Sequence, residues 1–169
     1  MERNAKGFGW VAALLLLTGT LAQAQDLVRE ARYADITVGN SVATISQIGA
    51  SNNARVDQSG ARQNQALTQT GSRNQAVVNQ SGVNNAITAQ QNGTANTAQV
   101  NQSGNNNQTG VAQHGTDNAA SVVQTGAYNQ AFVGQYGQAN QASVSQAEFG
   151  GAVSIKQFGD NMNASATQR

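Results

Sequence analysis

Amide side chains recur along this chain at a constant spacing, and an amide can donate and accept hydrogen bonds at the same time. Glutamine stands at every eleventh residue over twelve consecutive positions. These glutamines are Gln47, Gln58, Gln69, Gln80, Gln91, Gln102, Gln113, Gln124, Gln135, Gln146, Gln157 and Gln168. A coiled backbone that stacks them would let each amide bond to the next. The pattern therefore favours the templating of one strand by another over catalysis at a single site.

Glycine and asparagine keep the same phase as the glutamines. Glycine follows two residues later, with Glu148 as the exception within the run: Gly49, Gly60, Gly71, Gly82, Gly93, Gly104, Gly115, Gly126, Gly137 and Gly159. Asparagine follows five residues later: Asn52, Asn74, Asn85, Asn96, Asn107, Asn118, Asn129 and Asn140. Gln63, Gly151 and Met162 fill the remaining asparagine positions. We expect both residue types between strands, where positive φ is needed and tolerated.

The remaining inward positions of the unit are small or aliphatic. Alanine is usual seven residues after the glutamine, an aliphatic residue nine after it, and the consensus is Gln-x-Gly-x-x-Asn-x-Ala-x-Val-x-Gln. The Ala, Val and Gln positions lie two apart, so in a β-strand all three point to one face. Each unit then forms a strand of about six residues and a tight turn, and two units close one rung. Residues 41–168 thus predict an all-β solenoid of about six rungs, with two stacked parallel sheets.

The charged residues test this phase independently. Between Ser41 and Gln168 they are Arg55, Asp57, Arg62, Arg73, Asp117, Glu148, Lys156 and Asp160. None occupies an inward position, as expected if those positions face a dry interior that excludes charge. Arg55, Asp57 and Lys156 fall on outward strand positions, and the others fall in turns.

The composition argues against an enzyme. The chain has no cysteine, no proline and one histidine, and its acidic residues are sparse. Thiol catalysis, a Ser-His-Asp arrangement and paired catalytic carboxylates therefore lack the necessary residues. We expect no cofactor, no metal and no small-molecule substrate. An ice-binding solenoid is a separate alternative, but its flat rows of outward threonine are missing here.

Residues 1–24 have the pattern of a secretory signal peptide. Arg3 and Lys6 precede an apolar run, and Ala22-Gln23-Ala24 fits a cleavage site. A membrane anchor is the alternative, although the apolar run is short for a span. Residues 25–40 are richer in charge and are interpreted as a flexible leader, either an export tag or a tail without function. Removing residues 1–24 leaves seven basic and seven acidic residues, which argues against a nucleic-acid partner.

The edges of such a solenoid invite polymerisation. Strand edges present unpaired N–H and C=O groups, and soluble solenoids cover them with atypical terminal repeats. Here the repeat continues to Gln168, so we expect no cap. A second copy would extend both sheets and the amide rows. The product is cross-β order, with rungs about 4.8 Å apart and sheets about 10 Å apart.

The repeat over residues 41–168 resembles the curlin repeat of bacterial curli, the functional amyloid fibres of the cell surface. The resemblance rests on the Gln-x-Gly-x-x-Asn-x-Ala-x-x-x-Gln pattern in twelve successive units. It implies a fibre subunit that assembles with itself and with a companion curlin. It further implies passage through the curli export pore with accessory factors, attachment to the outer cell surface, and roles in biofilm matrix and adhesion.

Curli contain a major fibre subunit and a minor subunit that nucleates the fibre. The Gln-x-Gly pattern in nearly every unit, together with the ending Ala166-Thr167-Gln168-Arg169, is more similar to the minor subunit. The low charge of the last repeat and the sixth rung depart from it. The resemblance therefore favours a nucleator and keeps the major fibre subunit as the alternative.

A few residues outside the repeat pattern have competing interpretations. Arg55, Arg62 and Arg73 form a basic cluster in the sequence, either for an anionic surface or as a solvated face. Phe149 and Phe158 flank the irregular unit that contains Glu148, and either pack against a partner or lie on the sheet surface. His114 has no second metal ligand nearby in the sequence. Asn163-Ala164-Ser165 matches a glycosylation acceptor, a pattern that chance produces readily in an asparagine-rich chain.

Overall fold

The computed structural model describes the backbone of residues 13–17 and 31–38 and the chain from Asn40 to Arg169. Every element in these ranges is a β-strand, so no described segment is a helix that could cross a membrane. The strands are β1 Ala13–Leu17, β2 Ala31–Val38, β3 Ser41–Ala50, β4 Asn53–Ala61, β5 Asn64–Ser72, β6 Gln75–Val83, β7 Ala86–Thr94, β8 Thr97–Asn105, β9 Gln108–Thr116, β10 Ala119–Ala127, β11 Gln130–Gln138, β12 Gln141–Phe149, β13 Ala152–Phe158 and β14 Asn163–Gln168.

The strands from β3 onward alternate between two sheets. The first sheet has the order β2-β3-β5-β7-β9-β11-β13, and the second has the order β1-β4-β6-β8-β10-β12-β14. Neighbours from β3 to β14 are parallel and offset by 22 residues, so Gln113 pairs with Gln135 and Val122 with Val144. Two strands make one rung and twelve strands make six. The predicted all-β solenoid with two parallel sheets is confirmed.

The interior lies between the sheets and is built from the predicted inward positions. Ala54, Val56 and Leu67 are almost fully buried, as are their equivalents up to Ile155. The second sheet carries only alanine at its alanine position, from Ala54 to Ala164. The first sheet has alanine at Ala43 and Ala131 but larger residues at its other four positions, which are Gln65, Ile87, Thr109 and Val153. On those four rungs a larger residue of the first sheet is combined with an alanine of the second, so the larger side chains fit into the close-packed interior.

Strand length differs from the prediction. Most strands have nine residues instead of about six. Two residues make each turn from β3 to β13, as at Ser51-Asn52, and four residues lie between β13 and β14. The glycines lie inside the strands, since Gly49 pairs with Gly71 and Gly60 with Gly82. Parallel in-register stacking causes this difference, because each bent segment meets an identical segment one rung away and the ladder continues through the bend.

Two antiparallel strands lie at the amino-terminal edge of the stack. Strand β2 pairs with β3, and β1 pairs with β4. β1 falls within the predicted signal peptide and β2 within the predicted leader. The rest of residues 1–39 lies outside the described residues, and both assignments stay predictions.

Candidate self-templating site

The inward glutamines form two continuous rows, one in each sheet. In the first sheet, Nε2 of each glutamine from Gln47 to Gln135 donates to Oε1 of the glutamine 22 residues later, at 2.6–2.9 Å. The second row runs from Gln58 to Gln168 with distances of 2.7–3.1 Å. All ten bonds point toward the carboxy-terminal rung. Each row therefore has a direction. Its first glutamine presents an Oε1 acceptor at the amino-terminal end, and its last glutamine presents an Nε2 donor at the carboxy-terminal end.

Eight of the twelve glutamines also join the two sheets. Beyond its bond to the next glutamine, Nε2 of Gln113 donates to the backbone oxygen of Thr97 at 2.9 Å, on the facing strand. Gln135 does the same to Ala119 at 3.0 Å, and the contact recurs along both rows. Ten of the twelve glutamines are buried, while Gln58 is half-buried and Gln168 is exposed. An amide is tolerated in this dry interior because its donors and acceptor are used.

The asparagines form two further rows at the turns. Oδ1 of Asn96 accepts from the backbone N–H of Asn118 at 3.1 Å, one rung further on. Nδ2 of Asn96 donates to the backbone oxygen of Gly115 at 2.9 Å. Asn107 repeats both bonds with Asn129 and Gly126. Each asparagine thus binds the next rung through its backbone, whatever side chain that rung carries.

The predicted positive φ of the asparagines is wrong. Positive φ falls instead on the residue just before the asparagine position, with values of 53–60° at residues as different as Arg73, Ala95 and Tyr128. That residue donates its backbone N–H to a backbone carbonyl oxygen of the preceding rung, as Arg73 does to Ala50 at 3.0 Å. The asparagine side chain must point inward to reach its partners, so the neighbouring residue makes the reversal.

The glycines have positive φ as predicted, and packing requires them for a second reason. In the repeat rows φ is 91–129°. A Cβ added to Gly93 would collide with the carbonyl oxygen of Gly115 on the next rung, and the same collision recurs between consecutive glycines along both rows. Only glycine lets the rungs approach to strand spacing at this bend.

Three buried polar residues were missed from the sequence. Gln65 replaces alanine, is 1% exposed, and has no hydrogen-bond partner for either amide atom. Gln63 replaces asparagine, and its Oε1 lacks a partner although Nε2 donates to Ser59 and Gly82. Thr109 bonds to Gln102 and Gln124 at 2.8 and 2.7 Å. Each of these residues departs from the consensus, and this departure is visible in the sequence. Whether its polar atoms find hydrogen-bond partners depends on residues of the neighbouring rungs.

We expect Gln65→Leu to stabilise the solenoid. Leucine is similar in size and removes a buried amide without partners, whose burial costs about 1–3 kcal/mol. Chemical denaturation of the monomeric chain should show a higher midpoint. Gln69→Leu is the matched control in the same strand, because Gln69 accepts from Gln47 and donates to Gln91 and Asn53. A lower midpoint for Gln65→Leu would contradict this description of the interior.

The outward faces carry the charges and most of the aromatic residues. Arg55 forms an ion pair with Asp57 at 2.9 Å. Arg62 and Arg73 lie in turns on opposite sides of the stack, between β4 and β5 and between β5 and β6. The expected basic cluster is therefore wrong, because residues eleven apart belong to different sides of the coil.

The aromatic residues form short stacks along the axis. His114 lies in β9, where it stacks on Tyr136 at 5.1 Å, and Tyr136 stacks on Phe158 at 4.9 Å. Phe149 packs against Tyr128 in the second sheet. Both phenylalanines are exposed. His114, Tyr136 and Phe158 are 22 residues apart and follow the register of the amide rows, whereas Tyr128 and Phe149 are 21 residues apart.

No arrangement for catalysis is evident among the described residues. A groove of about 560 Å³ on the outer face of the second sheet is lined by rows that include Asp57, Asn79 and Asn101. Asp57 is its one acidic residue, and Arg55 neutralises it. Within the described ranges, no three His, Cys, Asp or Glu side chains come together to hold a metal. In the part of the chain that the structure describes, most of the buried polar side chains belong to the glutamine and asparagine rows.

Stacked rows of glutamine, asparagine and glycine define a β-solenoid in which each rung is hydrogen-bonded to the next. A sequence model of the curlin associated repeat matches residues 93–126 and 115–147. The matched residues are curlin repeats, which supports a place for the chain in the curlin family. Searches of curated proteins and of solved structures find no match.

Proposed function

We propose that this chain nucleates curli polymerisation at the cell surface, where its ordered rungs template a companion curlin. The carrying observation is that both glutamine rows run unbroken through all six rungs. A strand that arrives at the edge therefore meets preformed hydrogen-bonding groups in both sheets. Templating needs this preorganisation, because an ordered edge removes part of the entropy cost of ordering the first rung.

The near-equality of the two half-rungs supports the nucleator over the major subunit. Both halves carry the glutamine row, the glycine bend and the asparagine turn, from Gln47-Ile48-Gly49 in one sheet to Gln58-Ser59-Gly60 in the other. Either half then offers the same contacts to an incoming strand. The major fibre subunit is the second candidate, supported by the six-rung length and the few charges in the last repeat.

The proposal places the chain outside the cell. A signal peptide over residues 1–24 would direct export, and the leader over residues 25–40 would engage the curli pore and its accessory factors. The fibre would then contribute to biofilm matrix and adhesion. Cleavage after Ala24 would also remove β1, which pairs with β4 in the uncleaved chain.

Deleting the gene in its native cell tests the proposal. We expect the companion curlin to be secreted but to stay soluble and diffuse away, as measured by immunoblots of cell and medium fractions with and without formic acid. Loss of nearly all curlin would identify this chain as the major subunit instead. Normal fibres in the deletion strain would contradict both assignments.

A further inference from the structure

The two edges of the solenoid differ in what they offer to another rung. At the amino-terminal edge, β3 and β4 already accept strands, since β2 lies on β3 and β1 on β4. At the carboxy-terminal edge, no described strand pairs with the outer side of β13 or β14. Those last strands are also short, with seven and six residues. The amino-terminal edge is thus the one on which other strands of this chain pair, both of them antiparallel.

One glycine row ends before the last rung. In the second sheet it runs through Gly60, Gly82, Gly104 and Gly126 and is then replaced by Glu148 at φ 106°. A Cβ on any of these glycines would strike the carbonyl oxygen of the next rung. The Cβ of Glu148 occupies the equivalent place. A regular glycine bend therefore cannot stack on this residue.

Both asparagine rows end at the same edge. Asn129 accepts from the N–H of Gly151 at 2.9 Å, and Asn140 accepts from the N–H of Met162 at 3.0 Å. Gly151 and Met162 have no side-chain amide, so their side chains provide neither a hydrogen-bond acceptor nor a donor for a following rung. Two backbone N–H groups and two glycine carbonyls of that rung would lose their partners.

The glutamine rows continue to the last rung. Gln157 and Gln168 accept from Gln135 and Gln146 at 2.9 and 3.1 Å. At the opposite edge, Gln47 and Gln58 stand first in their rows, so their Oε1 atoms are the acceptors that a preceding glutamine would use. The carboxy-terminal edge thus keeps the amide rows but loses three of the six rows that join rungs elsewhere.

We propose that this chain forms the carboxy-terminal end of a mixed stack. Its amino-terminal edge accepts, in place of β1 and β2, the last rung of a companion curlin-repeat chain that keeps glycine and asparagine at these three positions. The chain then adds poorly to copies of itself and well to the companion. This inference rests on the proposed nucleating function and specifies that the companion adds at the amino-terminal edge.

The test restores the missing rows in the chain without its predicted signal peptide. We expect the variant Glu148→Gly/Gly151→Asn/Met162→Asn to self-assemble at least about tenfold faster than wild type, as measured by sedimentation and single-fibre imaging. Gln168 must move in this variant, because its Oε1 lies 2.5 Å from a Cβ built at Gly151. If the triple variant does not fold, Glu148→Gly/Met162→Asn serves and should still accelerate assembly.

The matched control puts substitutions of the same kind at exposed outward positions of the last strands. These are Ser145→Gly, Ser154→Asn and Ser165→Asn, and we expect them to leave the rate within about twofold. Fluorescent triple-variant monomer added to wild-type seeds should extend one end of each seed. Equal rates for wild type and a folded restored variant, or growth from both seed ends, would overturn the inference. If no added monomer extends the wild-type seeds, this result would instead count against the nucleating function itself.

Discussion

Gly115→Ala is expected to abolish fibre formation. The added Cβ would collide with the carbonyl oxygen of Gly137, and alanine would be held at φ 120°, a region that L-residues rarely adopt. The backbone can relieve this collision only by moving the two rungs apart, and that movement breaks the neighbouring hydrogen bonds between β9 and β11. We expect a cost of at least about 3 kcal/mol in the free energy of unfolding, at the large end for single substitutions. Thioflavin fluorescence and electron microscopy measure the loss of fibres.

Gly110→Ala is the matched control in the same strand. Its φ is not in the left-handed region, and a Cβ there would approach only the Phe132 ring, at 3.0 Å. That ring is 38% exposed and can rotate away. Fibres from Gly110→Ala together with none from Gly115→Ala would show that stacking at the bend, and not glycine content, is required. Normal fibres from both variants would contradict the glycine row.

Gln113→Leu should have the second largest effect. Gln113 accepts from Gln91 and donates to Gln135 and to the backbone of Thr97, each at 2.9 Å. Leucine fills the space but leaves those groups with fewer partners in a dry interior, at about 1–3 kcal/mol for each group left unsatisfied. We expect a loss of about 3 kcal/mol in the free energy of unfolding and fibre growth slowed more than tenfold. Denaturant titration and seeded growth rates measure these changes.

The sign of the effect separates amide bonding from simple packing. Gln65→Leu makes the same chemical change in another strand of the first sheet, at a buried glutamine without partners. Opposite signs for the two variants would show that hydrogen bonding along the row stabilises the stack. If both substitutions stabilise the chain, the rows are not what holds the rungs together.

The sequence was sufficient to predict the inward rows, because strand side chains alternate and the spacing places Ala, Val and Gln on one face. The 22-residue register followed from two units per rung. The conformation of the turn did not follow. Three residues separate Gly93 from Thr97, and the spacing alone does not say which of them reverses the chain. The structure assigns positive φ to Ala95 and turns Asn96 inward.

Other features depend on three-dimensional neighbours that spacing does not reveal. Gln65 is one of many glutamines in the sequence, but its side-chain amide has no hydrogen-bond partner. It pairs with Ala43 and Ile87 of the adjacent rungs. The antiparallel pairing of β2 lies outside the repeat and has no periodicity to predict it. Glu148 was visible as an exception in the sequence, yet its consequence appears only once the glycines are seen to touch along the axis.

Fibres assembled at high concentration from residues 25–169 offer the most direct test of the central claim, that one molecule stacks on the next as its own rungs stack. Six rungs at about 4.8 Å give an axial repeat of roughly 29 Å per molecule. We predict that cryo-electron microscopy will show this repeat, with rung density about 4.8 Å apart and two sheets about 10 Å apart. A fibre with one molecule per 4.8 Å layer, or one without a cross-β rung, would contradict the account.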